Sequence, residues 1–478
     1  MRRLPFAIAA AIVLVAASCG SPSTTNEPAP STTTGAVVTT TGSPTTTVVV
    51  APTPTTTPKP SQLNPIWAIP DGIEVAIAGV DGLHLLSGVD DRLISADVFD
   101  DVVADPAGDG WLVQSPVDFE DENVAPTIRR IGNDGSDTAA VTGEEGTTLQ
   151  LHDAAIVDGH ATVFYNVNRQ HAGATDETKD EVFARDLVTG SSRKITEAGG
   201  WESRVELNFG GGALVGLSHT EASASPYSVD LTGHEGVIDT SAVGLAASYD
   251  DDPAAPRAVT ISPDGDRLSW VTDEVDQNLN VVANHLTIVT ADGSESRSIA
   301  LPPGPTTIND VVDRGNYLLI DTGFRGEGGA TPGMLVDSDS GGILILPTAG
   351  TAAVAGTWNE VPRWPIPSTV AEDVTSEIQA LEPQWTNSPL PHDEAIADAL
   401  LGDNDNGGEC AAAARTFPNS GIGDGRFWIE LSEPCDDSVA GALYQVTVVA
   451  PQPDGSLTGG ATRRVLCKRG VTTDGLCV

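Results

Sequence analysis

Five charged residues recur at one place in an internal repeat: Asp101, Asp153, Arg204, Arg257 and Asp310. Each stands directly before an apolar run, and the runs begin at Val102, Ala154, Val205, Ala258 and Val311, at pitches of 52, 51, 53 and 53 residues. Carboxylates and guanidiniums gathered at one mouth of a channel either pair with one another and fix register, or form a polar funnel that holds a ligand. The order of the five predicts two ion pairs between neighbours, Asp153 with Arg204 and Arg257 with Asp310. Asp101 is then the member left for a cation or polar ligand, and a divalent cation is the one cofactor such a ring would suit. No protein-held metal site is predicted.

Four thiols carry the other chemistry: Cys410, Cys435, Cys467 and Cys477. In an exported chain they read as two disulfides. Cys410 with Cys435 and Cys467 with Cys477 are the preferred pairs, because both close short loops. Zinc is the rival, but there is no C-x-x-C and no histidine near these residues in sequence. Catalytic motifs are absent from the sequence: no G-x-S-x-G elbow, no H-E-x-x-H, no phosphate-binding loop. The eight histidines are scattered, and His152 and His160 merely flank one turn. The run Asp403 to Gly407 begins like a calcium loop, but its twelfth position is Ala414, where a bidentate acid is needed.

The elements that must position these residues are strands. From Leu63 to Pro365 short β-rich runs alternate with Gly, Asp and Asn turns, and each unit of about 50 residues holds four strands. Such a unit cannot bury both faces alone, so it must stack on its neighbours as a propeller blade. The run Ile261-Ser262-Pro263-Asp264-Gly265-Asp266-Arg267-Leu268-Ser269-Trp270 resembles the S-P-D-G signature of TolB-type, WD40-like (PD40) propeller repeats. In those repeats the Pro-Asp-Gly makes the turn between the two inner strands. That resemblance implies a propeller fold and partner binding. The ends fit together as well: Ala353 to Trp358 reads as an inner strand without partners, with Ala352 in the ring position. Glu74 to Ala78, Leu83 to Ser87 and Arg92 to Ala96 read as three strands without a first. A sixth blade closed by both ends is predicted, with seven blades as the fallback.

Residues 366–478 read as a small α+β domain with two disulfides, joined by the stiff connector Trp364 to Pro367. A helix is predicted from a cap at Thr369, with Glu372 completing a capping box and Val370, Val374, Ile378 and Leu381 on one face. A second helix runs from His392 to Leu401 and stops at Gly402. Three β runs follow, Arg426 to Leu431, Leu443 to Ala450 and Thr462 to Lys468. A fragment starting near Ser368 is expected to fold alone.

Residues 1–18 read as a signal peptide: Arg2 and Arg3, then an apolar run too short to span a bilayer. Ala16-Ala17-Ser18-Cys19-Gly20 resembles the lipobox of bacterial lipoproteins, which implies a diacylated Cys19 as first residue of the mature chain. The predicted location is the extracytoplasmic face of the cell membrane, or the medium if Cys19 is not lipidated. Residues 19–62 are a Thr/Pro-rich tether with too little apolar bulk to repay the entropy of ordering. Arg greatly outnumbers Lys, as in high-GC, actinobacterial-type chains.

The chain carries 24 basic and 67 acidic side chains, a net charge of −43. That excludes nucleic acid as a partner of the bulk surface and disfavours anionic lipid, so membrane contact is expected through the anchor only. The expected function is that of a non-catalytic surface lipoprotein whose propeller binds a protein or envelope partner. An envelope hydrolase or lyase with carboxylates at the propeller mouth, or a small-ligand or cation sensor, are the alternatives.

Overall fold

The computed structural model describes residues 68–478, except for 109, 117–124, 146, 170–178, 199–202, 220–222, 246–247, 250–254, 276–280, 303–307, 309, 323–331, 357–363, 368–369, 382–391, 403–412, 419–425, 433–438, 448–459, 469–476 and 478. Cys19 and the tether, Thr369, Cys410 and Cys435 therefore lie outside the described residues.

The described residues form six four-stranded antiparallel sheets, here I to VI, and one six-stranded sheet. The innermost strands of sheets I to VI are Thr351–Gly356, Asp101–Ala104, Thr148–Val157, Ser203–Gly210, Ala258–Ile261 and Asp310–Asp313. Sheet I is built from both ends of the repeat region. Its inner strand comes from Thr351–Gly356 and pairs with Ile73–Gly79, in register from Ile73 opposite Gly356 to Ala78 opposite Thr351. The closing unit thus forms as its unpartnered strands require.

Side-chain alternation makes the ring. Successive residues of a strand point to opposite faces, so each sheet sends alternate apolar side chains to alternate neighbours. In sheet VI, Leu318 and Ile320 enter the core shared with sheet V, whereas Tyr317 and Leu319 enter the core shared with sheet I. In sheet II, Trp111 and Val113 meet sheet I while Leu112 meets sheet III. Sheets III with IV and IV with V share two further cores. Every neighbouring pair, including VI with I, therefore has its own apolar core, and the fold is mainly β, a propeller.

The Ser262-Pro263-Asp264-Gly265 turn shows why that sequence is needed. Asp264 Oδ1 accepts from the Ser262 hydroxyl at 2.6 Å and from the Asp266 N–H at 3.1 Å, which closes the turn on itself. Gly265 has φ of 82°, and a Cβ there would stand 2.8 Å from the Cα of Gly211 in the matching turn of sheet IV. Two glycines thus let neighbouring turns touch.

The six-stranded sheet follows the propeller. Its order runs Ile366–Pro367, Ala461–Cys467, Val439–Thr447, Arg426–Ser432, Ala413–Pro418, with Glu372–Asp373 also paired to Ala461–Cys467. One face carries helices α1 (Thr375–Ala380) and α2 (His392–Leu401), which bury Val374, Ile378, Ala395 and Ile396. The other face presents Phe417, Trp428, Leu443 and Leu466 to the same core as Ile343 and Ile345 of sheet VI.

Three expectations are corrected here. The first helix does not start at the Thr369 to Glu372 box. Glu372 and Asp373 are strand residues, because Arg463 on the adjacent strand holds the Glu372 carboxylate at 2.7 Å. The Asp373 carboxylate instead accepts the Thr375 N–H at 2.9 Å, which starts α1. The strand Ala413–Pro418 was not anticipated, since Arg415 interrupts its apolar pattern; that charge is buried against Glu430 at 2.6 Å. The second half of the connector is itself a strand, Ile366–Pro367, with Ile366 lying opposite Cys467. The second helix runs as expected to Leu401 and stops at Gly402, φ 61°.

Candidate functional site

The innermost strands surround an axial cavity lined by Asp101, Asp153 and Asp310, with His152, Asp321 and Arg314 beside them and Ala352 to Val354 on the side of sheet I. Three of the five ring residues are thus brought together, each from a different sheet. A local rule holds all three: the carboxylate turns back to the N–H of the next residue, at 2.8 Å for Asp101 to Val102, 2.8 Å for Asp153 to Ala154 and 2.7 Å for Asp310 to Val311. A charged acceptor on a backbone donor is a strong bond. It fixes each carboxylate at the start of the channel wall.

The two arginines of the ring behave differently. Arg257 is not one of the residues that line the cavity; its Nε donates to Asp273 in its own sheet at 2.7 Å. Arg204 lies in the strand Ser203–Gly210, and its side chain is outside the described residues. Among the described residues, a guanidinium reaches Asp153 from across the channel. Arg314, on the turn after Asp310–Asp313, donates from Nη2 to Asp153 Oδ1 at 3.0 Å. Burial works against its charge, but the carboxylates of Asp153 and Asp310 outweigh burial and raise its pKa. Asp153 also accepts the Phe209 N–H of sheet IV at 2.9 Å.

Asn208 is the second residue that sequence reasoning missed. Its Nδ2 donates to Asp310 Oδ1 at 3.0 Å and to the Val311 carbonyl at 3.3 Å. Two β-bulges explain the miss. The pairing of sheet III shifts between Leu151 and Asp153, and that of sheet IV between Val205 and Asn208. An added residue re-aims the following side chain, so an alignment on apolar runs alone does not bring Asn208 to Asp310. The available signal was a lone polar residue between Leu207 and Phe209.

The cavity offers about 20 Å³ to the centre of a water-sized molecule. One buried water needs ~10–15 Å³ on that measure, so there is room for a water or one small ion. Among the described residues, no three His, Cys, Asp or Glu side chains are grouped to hold a metal ion. Next to the cavity, Arg267 of sheet V grips the buried Asp313 of sheet VI, from Nη2 to Oδ1 at 2.8 Å and from Nε to Oδ2 at 3.2 Å. Burial pushes the Asp313 carboxyl up, and Arg267 pulls it back. Burial likewise pushes the Tyr317 phenol to about 12.

Of the cysteine pairs, Cys467 and Cys477 are bridged, with Cα atoms 5.1 Å apart. Among the described residues no helix is long and apolar enough to cross a membrane.

No protein-family model matches the chain, and no curated protein matches it. The solved structures to which it is similar include puromycin hydrolase, at 15% identity over 73% of this chain and 50% of that one, TM-score 0.32. The propeller domain of the Trilobed protease from Pyrococcus furiosus is similar at 10% identity over 79% and 90%, TM-score 0.31. An α-L-arabinofuranosidase from Fusarium graminearum is similar at 9% over 76% and 91%, TM-score 0.33. The chain spans half of the puromycin hydrolase it matches and 38% of a prolyl oligopeptidase B from Galerina marginata. These likenesses concern the propeller fold alone.

Proposed function

We propose that the chain is a non-catalytic extracytoplasmic lipoprotein, of the TolB-like propeller type with six blades, anchored through Cys19 and held off the membrane by its tether. Its propeller binds a protein or envelope polymer on the upper face, the end at which the innermost strands begin. The observation that supports this most is the state of the axial cavity. Hydrolysis or elimination by paired carboxylates needs a substrate between them, and about 20 Å³ admits neither a sugar nor a peptide. The carboxylate of Asp153 already accepts three hydrogen bonds.

Two further features support the upper face. The connections there between second and third strands are 12, 9 and 10 residues long in sheets II, III and VI and 2 to 5 in the other three, whereas on the lower face only the third-to-fourth connection of sheet IV, with 17 residues, exceeds 5. Long connections on a rigid scaffold are where recognition concentrates. The acidic exterior favours a partner with positive charge.

The test is retention of tether-free protein, residues 63–478, on envelope fractions of the source bacterium. Retention that weakens with added salt is expected; none at low salt, or turnover of envelope glycans or peptides, overturns the reading. For the anchor, Cys19→Ser is expected to release the protein or leave the precursor uncleaved, and unchanged membrane retention of a cleaved form contradicts it.

A further inference from the structure

Sheet VI occupies a special place in the ring, because beyond it the chain must close onto strands from the other end of the repeat region. That joint relies on Thr351–Gly356 staying paired with Ile73–Gly79. Nothing covalent in the propeller backs it up among the described residues. In a ring held only by contacts between neighbours, a sheet beside an opened joint keeps one neighbour.

We propose that Arg314 and Asn208 form an axial clasp that holds sheet VI directly to sheets III and IV, so that the ring stays assembled when the closing joint opens. Three observations carry this. Both ties skip neighbours: Arg314 to Asp153 joins VI to III across the channel, and Asn208 to Asp310 joins IV to VI. Asp153, Asn208 and Asp310 are removed from water, at 1%, 2% and 9% exposed, while the Arg314 side chain keeps 20%, so loss of one partner takes a strong interaction from a buried polar group. Both depend on the two bulges, which set Asp153 and Asn208 against the channel. The wall on the other side of the channel is supplied by Ala352, Ala353, Val354, Val102 and Val103 beside Asp101. The clasp holds whether or not the upper face binds a partner.

Hydrogen exchange in the full chain tests it. The N–H groups of Ala154 and Phe209 both donate to Asp153 and report on sheets III and IV. In Arg314→Met, exchange in Thr148–Val157, Ser203–Gly210 and Asp310–Asp313 is expected to quicken together, on the order of 100-fold, as an unpaired buried charge implies. Arg267→Met breaks a tie between neighbours V and VI and should quicken Ala258–Ile261 and Asp310–Asp313 while leaving Thr148–Val157 as it was. Quickening in Arg314→Met that stays within sheet VI, or the three-sheet pattern in both variants, overturns the clasp. Should Arg314→Met not fold, Arg314→Lys, which keeps charge but loses the planar fork, must show the same three-sheet pattern at roughly 10-fold; unchanged exchange in sheets III and IV overturns it equally.

Discussion

The channel and the rim beneath the C-terminal sheet both join distant parts of this chain, and they do so with opposite chemistry. In the channel a half-buried guanidinium, buried carboxylates and an amide meet in fixed geometry, with Arg314 on Asp153 and Asn208 on Asp310. At the rim, Phe417, Trp428, Leu443 and Leu466 lie in one apolar core with Ile288, Ile299, Ile343 and Ile345 of sheets V and VI. Buried ion pairs specify an arrangement and contribute little net stability, because desolvation offsets their attraction. Apolar burial contributes stability roughly in proportion to area and tolerates changes of detail. The channel should therefore decide which sheets face each other, and the rim should decide whether the C-terminal layer and the propeller melt as one.

The largest effect is expected at the rim. Trp428 is 6% exposed within that core, and Trp428→Ala should cost about 3–5 kcal/mol and split a single thermal transition into two. A single transition at the parental temperature would break the comparison. The same shared core bears on the fragment starting near Ser368, which lacks both sheet VI and the strand Ile366–Pro367.

Next comes the bridge at the end of the strand Ala461–Cys467. Replacing both Cys467 and Cys477 by Ser should cost ~3 kcal/mol, the value for a short closed loop. Chemical denaturation of the oxidised and substituted proteins checks it, and equal midpoints would show that the bridge does not hold the strand.

A smaller effect is expected where blades touch. Gly211 has φ of 57° and faces Gly265 Cα, so Gly211→Ala should cost about 2 kcal/mol from backbone conformation and crowding. Gly212→Ala shares the conformation, φ 84°, but meets no atom within 4 Å. It should cost less, and the reverse order would show that the contact between turns does not matter.

The smallest effect depends on pH. His84 is partly desolvated, which lowers its pKa, but Asp91 at 2.8 Å and Asp81 at 3.1 Å outweigh that and raise it above 6.5. A histidine whose folded pKa is raised contributes stability that is full below its unfolded value and is lost as pH rises through the folded one. Thermal stability should thus fall slightly from pH 6 to pH 8, and His84→Asn should flatten that slope. A proton NMR midpoint for His84 at or below 6.5 would contradict the pairing.

Much of the propeller was legible because period-2 alternation and a repeat of about 50 residues are both local signals. The closing sheet could be placed from its unpartnered strands alone. A further repeat was available in the turns that follow the third strands of sheets III, IV and VI: Asp186 with Gly190, Asp230 with Gly233 and Asp337 with Gly341. In each the Asp side chain accepts N–H groups two to four residues on, and the glycine takes positive φ. What was not legible depended on register. Bulges at Leu151/Asp153 and Val205/Asn208 leave no mark on the apolar pattern. The partner of Asp153 lies 161 residues away, on a turn that the repeat alignment treats as a connector. At the C-terminal sheet, a capping box at Thr369 to Glu372 lost to the pairing of Glu372 with Arg463, a tertiary contact that sequence spacing does not show.

The central claim, that a partner binds the upper face, is tested most directly by site-specific photo-crosslinking in the intact envelope. Val80 lies on the upper-face turn of sheet I and is 87% exposed; Val188 lies on a lower-face turn of sheet III and is 75% exposed. With a photoreactive residue at each position in turn, a discrete crosslinked species is expected from Val80 and none from Val188. Crosslinking from Val188 alone, or equally from both, would contradict the account.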